Sequence, residues 1–505
     1  MAGPFAAADA VAPAAVDPST ESWYRLELDG QPVGWSVERT TVDSELVTRS
    51  SELHLELRRA GQVQRLEIAS RFVETADHRP IEAWTRQDFG ASAQETLFVF
   101  EPGDESNPGA VVEHRDGSTL RHPWPDGPWL TPGAAQKELE QQVARSLAVP
   151  DPPPFELVEI DPSLGLEPTT LRWSLDGSAP AQPESGHASV RSRWRVVQDI
   201  APQTPLRIAL DADAQMVEMV TPLLGLELTV RRVDAAAARA PLEPLEVLAR
   251  SMIAVERPIE TPRAVRRAVY RVTVDPFAGA SADPFPPTWR DVGHQLATAD
   301  SASGPSAGSS WRVVVDLDRA PRREPAPTAA LEATRWLDYD HPAVAALHRT
   351  VRASLPADSP PAARAEALRR AVAEHVRDKD LGTAFASAGE VALQRSGDCT
   401  EHAVLLAALL RADGIPSRVA AGLVYAEAFA GAEHVFVYHL WTQAHLDGAW
   451  IDLDATLPAS TAFDATHVTL DISLLDSALV DLAAMAGLIG RLQLEVEEVE
   501  TPDAP

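Results

Sequence analysis

The chain has one cysteine, Cys399, and its neighbours make it a candidate nucleophile. It stands in Ser396-Gly397-Asp398-Cys399-Thr400-Glu401-His402-Ala403, where an Ala/Leu-rich stretch running to Ala412 begins. A thiol in the first turn of a helix meets the positive end of the dipole and unpaired N–H groups, which favour the thiolate. The same N–H groups can later hold an oxyanion. The alternative for a lone cysteine is a small buried hydrophobe, which more often sits mid-element among apolar neighbours. A thiolate nucleophile needs a base, and the base needs an orienter. Downstream lie His439, in Tyr438-His439-Leu440-Trp441, and two carboxylates, in Trp450-Ile451-Asp452-Leu453-Asp454-Ala455-Thr456. The turn Asp447-Gly448 between the two segments predicts a hairpin, whose cross-strand neighbours come within hydrogen-bond reach. Asp452 and Asp454 share one face of the return strand, so spacing alone leaves both open as partners of the histidine.

Other ligand-type residues crowd the same region. Glu401 and His402 lie on the cysteine helix, and His434 and His445 flank His439. No HExxH spacing exists, and scattered histidines on strands are more often solvated or packed in a core than metal ligands. A single cysteine also excludes a disulfide within the chain and a cysteine-rich zinc site. The thiol chemistry requires no cofactor, and no calcium-binding loop is recognisable.

The elements that must position these residues follow from patterning. From Trp23 to about Phe100, apolar residues alternate with polar ones, as in Tyr24, Leu26, Leu28 and Leu53, Leu55, Leu57, with a turn-like Arg58-Arg59-Ala60-Gly61 between strands. A short helix carries Leu139, Val143 and Leu147 on one face, and Val149 to Pro154 forms a stiff connector. Alternation returns from Leu157 to Val233; whether it makes one large sheet or two is open. A helix is expected around Leu245–Ile253, then strands at Val269–Val274 and Trp311–Leu317 separated by a Gly/Ser/Pro/Ala-rich loop, 278–310. After about Ala329 the texture turns helical, with a last helix over Thr400–Ala412 stopped by Gly414 and Pro416. Strands over Arg418–Val424, Val435–His445 and Trp450–Leu453 follow, then an amphipathic segment, Leu474–Ile489, and an acidic strand or tail, Leu492–Glu500. The expected class is α+β: an Ala/Pro-rich disordered tail (1–20), β-rich regions of antiparallel sheet at 21–148 and 155–325, and a catalytic domain at 330–500.

Composition narrows the functions. The 505 residues carry 44 Lys+Arg against 74 Asp+Glu, a net charge of −30, with 45% hydrophobic residues. That balance repels a phosphate backbone, and no basic stripe offsets it, so nucleic acid is excluded as a partner. No run reaches the ~18 apolar residues of a membrane span. Ala8-Asp9-Ala10 has the small-x-small look of a signal-peptidase site but lacks a charged segment and apolar core before it. An extracytoplasmic location is the expectation, the cytoplasm its alternative.

Taken together, Gly397-Asp398-Cys399, Ala403 to Leu410, Gly414-Ile415-Pro416-Ser417-Arg418, His439-x-Trp441 and Trp450 to Asp454-x-Thr456 resemble the core of the transglutaminase-like superfamily over about Leu331 to Leu457. The resemblance implies a papain-like α+β fold with a Cys–His–Asp triad in that chain order: Cys399 as nucleophile, His439 as base and acid, Asp454 as orienter. Asp398 and Trp441 would support them, and Gln394 is the oxyanion-assisting candidate by analogy with papain-like enzymes. Ala455 departs from the proline common after the family's aspartate. The implied chemistry is attack on an amide of a protein or peptide, with a thioester intermediate released by water (hydrolysis) or by an amine (cross-linking). Only Lys137 and Lys379 are lysines, so the chain is a poor amine donor for its own cross-linking, and hydrolysis is the expectation. Two rivals are an inactive binding module on the same core and an envelope-assembly protein whose β region, with an unidentified partner, does the work.

Overall fold

The computed structural model describes residues 20–501 apart from 44, 60, 91–92, 104–108, 116–117, 179–188, 201–203, 249–251, 276–288, 290, 300–308, 379–384 and 476–487. The N-terminal half is antiparallel: β1 (Thr20–Leu28), β2 (Gln31–Val42), β3 (Leu46–Arg59), β4 (Gln62–Thr75), β5 (Pro80–Asp88), β6 (Ala93–Glu101), β7 (Ala110–Arg115), β8 (Ser118–Pro123), helix α1 (Pro132–Leu147), then β9 (Phe155–Glu159), β10 (Thr169–Ser178), β11 (Ser192–Gln198), β12 (Leu206–Leu210), β13 (Met216–Leu223) and β14 (Leu226–Val233). Alternation places Tyr24, Leu26 and Leu28 inside while Arg25 and Glu27 stay half-exposed. β1 pairs with both β2 and β14, so the two β-rich stretches share one continuous sheet. Helix α1, capped by Thr131, lays Leu139 and Val143 against Trp173, Trp194 and Leu210.

Beyond a one-turn helix α2 (Ala235–Ala238), the chain forms β15 (Leu245–Glu246), β16 (Met252–Ala254), β17 (Arg267–Val274), β18 (Gln295–Ala299) and β19 (Ser309–Asp316). The helix expected over Leu245–Ile253 is replaced at both ends by strand, and 249–251 lie outside the described residues. β15 pairs with β3 and β16 with a later strand, so sheet edges in need of backbone partners override a helix-like pattern. The expected loop 278–310 contains β18, and most of its remainder lies outside the described residues, as do the tail 1–19 and most of the segment Leu474–Ile489.

The C-terminal part packs four helices, α3 (Pro342–Ala353), α4 (Pro361–His375), α5 (Ala388–Gln394) and α6 (Cys399–Ala412), on a sheet of β20 (Ser417–Phe429), β21 (Ala432–Leu446), β22 (Ala449–Leu453) and β23 (His467–Ser473). Their shared core includes Leu368, Val372, Leu405, Leu409 and Ala444. The acidic C-terminus is a strand, β24 (Leu492–Glu500), in the order β18-β19-β17-β24. Its carboxylates face arginines: Arg267 pairs with Glu498 and Glu500, and Arg271 and Arg312 pair with Glu497. The stretch 155–325 is thus divided among three sheets: β9–β15 join the large one, β16 lines the edge of β21, and β17–β19 lie with β24. The last of these covers the far face of β20, β21 and β23 through Tyr270, Val272, Val313, Tyr425, Phe436 and Val468.

The large sheet also touches the helical core. Phe89 packs there, 6.0 Å from Trp336 between ring centroids, and Gly90 bridges Phe385. Among the described residues no helix is long and apolar enough to cross a membrane.

Candidate active site

Helix α6 is buried all round from Thr400 to Arg411, as its unbroken Ala/Leu run demands. Half-buried Cys399 is its first residue. Asp398 caps it: its carboxylate accepts the Thr400 N–H at 2.8 Å and the Glu401 N–H. Glu401 returns the bond, accepting the Asp398 N–H at 2.8 Å, which completes a capping box. The cap leaves the Cys399 N–H out of its own bonds. Gly397 is required by close approach, since a Cβ there would lie 2.4 Å from Glu401 Cβ.

His439 sits on β21 opposite Gly422 of β20. A Cβ at Gly422 would meet the Trp441 ring at 2.6 Å, so the bare backbone lets that indole lie against His439, centroids 6.0 Å apart and 24° from parallel. The two aspartates have separate partners. Asp452, directly across from Gln443, accepts from Trp441 Nε1 at 2.8 Å and from Gln443 Nε2 at 2.7 Å. Asp454 falls just past the end of β22 and reaches diagonally to His439, whose Nε2–H donates to Oδ2 at 2.9 Å. A carboxylate can only accept, so the proton is on Nε2 and Nδ1 is the ring nitrogen left for the thiol. The Cys399 side chain acts on His439 as well, favouring its protonated form.

Asp454 is 1% exposed, and every lone pair is used. Oδ1 accepts the Thr456 N–H and hydroxyl at 2.8 and 2.7 Å; Oδ2 accepts His439 and, at 3.3 Å, His467. Sequence reading overlooked His467. Its Nδ1 faces the Asp464 carbonyl at 3.1 Å and carboxylate at 3.4 Å. Both ring nitrogens therefore meet acceptors only, which requires an imidazolium. A signal was present: Asp454-Ala455-Thr456 recurs as Asp464-Ala465-Thr466, each aspartate accepting its threonine's N–H and hydroxyl, and the second leads into His467. Arg263 closes the network on Asp464 at 2.6 Å.

The electrostatics follow these contacts. Burial alone would lower His439, but the charge and hydrogen bond of Asp454, with the Cys399 side chain, push it up to about 10. Burial opposes ionisation of Asp454, and the two imidazoles outweigh it, holding the carboxyl well below its usual range. At the helix cap, Glu401 is driven well above the carboxylate range by burial and by Asp398, while Asp398 overcomes its own burial through Arg59 and the Thr400 N–H. Arg59 comes from the end of β3, with Nη1 at 2.5 Å from Asp398 Oδ2.

Gln394 ends α5, exposed, and among the described residues it makes no hydrogen bond to Cys399, His439 or Asp454; nothing in its position supports an oxyanion role. His402, His434 and His445 do not gather round His439: they bond the Asp398 carbonyl, the Tyr425 hydroxyl and the Glu324 carbonyl. Among the described residues, His439, Asp454 and His467 present donor atoms within 4.8 Å of one another, the spacing of metal ligands. Their mutual hydrogen bonds already account for that closeness.

Three solved structures align with the chain. A β-barrel-like protein of a domain of unknown function from Brucella abortus covers 42% of this chain and 95% of its own, at 13% identity and a TM-score of 0.32. A candidate cysteine protease from Cytophaga hutchinsonii covers 47% and 89%, at 16% identity and 0.27. A candidate protease from Parabacteroides distasonis covers 78% and 68%, at 11% identity and 0.19. No curated protein matches. The family comparison falls on the site itself, matching the transglutaminase-like superfamily at residues 348–455, a span that includes Cys399, His439 and Asp454. Over residues 348–455 this chain is similar to the transglutaminase-like superfamily.

Proposed function

We propose that this chain is a cysteine hydrolase that cleaves amide bonds of a protein or peptide, with Cys399 as nucleophile, His439 as base and acid and Asp454 as orienter. The observation that carries the reading is the His439 Nε2–H bond to Asp454, which leaves Nδ1 available to the thiol at the start of α6. His439 takes the thiol proton, and the thiolate attacks the amide carbon. A C–S bond forms as the carbonyl π pair moves to oxygen, and the Cys399 N–H, unused by the cap, is the donor at hand for that oxyanion. Collapse breaks the C–N bond, and the amine leaves with the proton from His439. Water then loses a proton to His439 and attacks the thioester. Collapse of this second tetrahedral intermediate breaks the C–S bond, the acid departs, and the sulfur recovers its proton from His439. Asp454 holds the ring and stabilises the imidazolium throughout.

Iodoacetamide labelling of Cys399 tests this, comparing wild type with His439→Ala. At about pH 6 an ordinary thiol is largely protonated and unreactive, so the pair predicts labelling at least ~10-fold faster in wild type than in the variant. Equal rates would refute the reading. Given a peptide substrate, mass spectrometry then separates the free acid of hydrolysis from an amine adduct.

A further inference from the structure

Arg59 ends β3 in the large N-terminal sheet, outside the family match at 348–455, yet it reaches the start of the cysteine helix. There Arg59 meets Asp398, a side chain 8% exposed that caps the nucleophile's helix and is bonded to Glu401, itself 1% exposed. Among the described residues, the charged and titratable groups round the thiol include Asp398 and Glu401 from its own helix start, His402 one turn on, His439 from β21, and Arg59 from β3. The Arg59 guanidinium acts on Asp398, Cys399 and Glu401 together. Without it, a buried carboxylate one residue before the sulfur would stand uncompensated and repel a second negative charge there.

We propose that Arg59 is a positioning residue of the active site, supplied by the N-terminal sheet, which neutralises Asp398 so that the adjacent thiolate can form. The large sheet is then a working part of the catalytic centre. Its docking does not depend on this one contact, because Phe89 against Trp336, the Gly90–Phe385 bridge and the Arg335–Gln87 hydrogen bond hold it independently. The inference rests on Cys399 acting as the nucleophile.

The test is iodoacetamide labelling of the full-length protein across pH, followed by mass spectrometry, with folding checked by circular dichroism. Arg59→Gln lowers the rate at about pH 6 by ~10-fold, the effect of removing an opposite charge, while the rate at about pH 9 stays within about twofold. Arg59→Lys restores most of the loss. A purely structural role would lower labelling alike at both pH values or leave it unchanged, and either result overturns the proposal. If Arg59→Gln does not fold, the double variant Arg59→Gln/Asp398→Asn, which removes both charges, carries the test. It labels within about threefold of wild type at about pH 6 if neutralisation of Asp398 is the role; a ~10-fold loss there overturns it. Failure of the underlying reading looks different, since wild type itself would then label no faster than His439→Ala.

Discussion

Replacing Asp454 with asparagine removes one charge and little else. The carboxamide has nearly the same shape as the carboxylate and can still accept a bond from His439. In the native protein His439 is pushed from its ordinary 6.5 up to about 10, against the opposing effect of burial. A rise of that size is worth roughly 5 kcal/mol in favour of the imidazolium, at about 1.36 kcal/mol per pH unit. With Asp454→Asn the opposing burial remains and only the smaller effect of Cys399 still favours the charge, so His439 titrates well below about 10. The assay is NMR of histidine labelled with 13C and 15N, the His439 resonance assigned by its loss in His439→Gln. A midpoint that moves by less than about one pH unit would refute the electrostatic account of the site. Stability carries a second signature. His439 has a raised value, so its contribution is complete below 6.5 and disappears as pH rises through about 10. Asp454 has a depressed value, so its contribution is present above its ordinary 3.8 and is lost as pH falls through its folded value. Breaking this buried pair costs about 3–5 kcal/mol in urea unfolding at neutral pH. The loss shrinks above about pH 10, where wild type has surrendered the same pair.

Three further outcomes are expected. His467→Gln removes a buried cation between Asp454 and Asp464; since His467 is raised by those carboxylates against burial, the loss of melting temperature is larger at about pH 6 than at about pH 9. Asp452→Ala strands the Trp441 and Gln443 donors and costs about 1–3 kcal/mol in unfolding, yet the ratio of Cys399 labelling between wild-type and His439→Ala backgrounds persists, which separates this carboxylate from Asp454. Gly422→Ala drives a methyl into the Val468 carbonyl and the Trp441 ring, and destabilises by about 1–3 kcal/mol while slowing Cys399 labelling as the indole leaves His439.

Local patterning was legible because its causes are local. The run from Cys399 to Ala412, closed by Gly414 and Pro416, is the helix α6 that its composition implies, and Asp447-Gly448 turns β21 into β22. The alternation of Tyr24, Leu26 and Leu28 made a strand because one face had to be buried. Where a segment's state depended on a distant edge, patterning misled: Leu245–Ile253 looks helical, yet its two ends complete β3 and β21. The joining of the two β-rich stretches through β1 and β14 is likewise a pairing between residues some two hundred positions apart.

Residue types and spacing were enough to place a thiol at the start of a helix and a histidine and two carboxylates on the hairpin that follows. Tertiary structure alone decided the partners. Asp452 and Asp454 share a strand face on paper; they part because Asp452 lies across from Gln443 while Asp454, past the strand's end, swings toward His439. His467 joins from the next strand, and Arg59 from a different sheet altogether. Hydrogen bonds and charge pairs act over a few ångströms of space, and nothing in spacing along the chain reports which distant residues folding will bring within that reach.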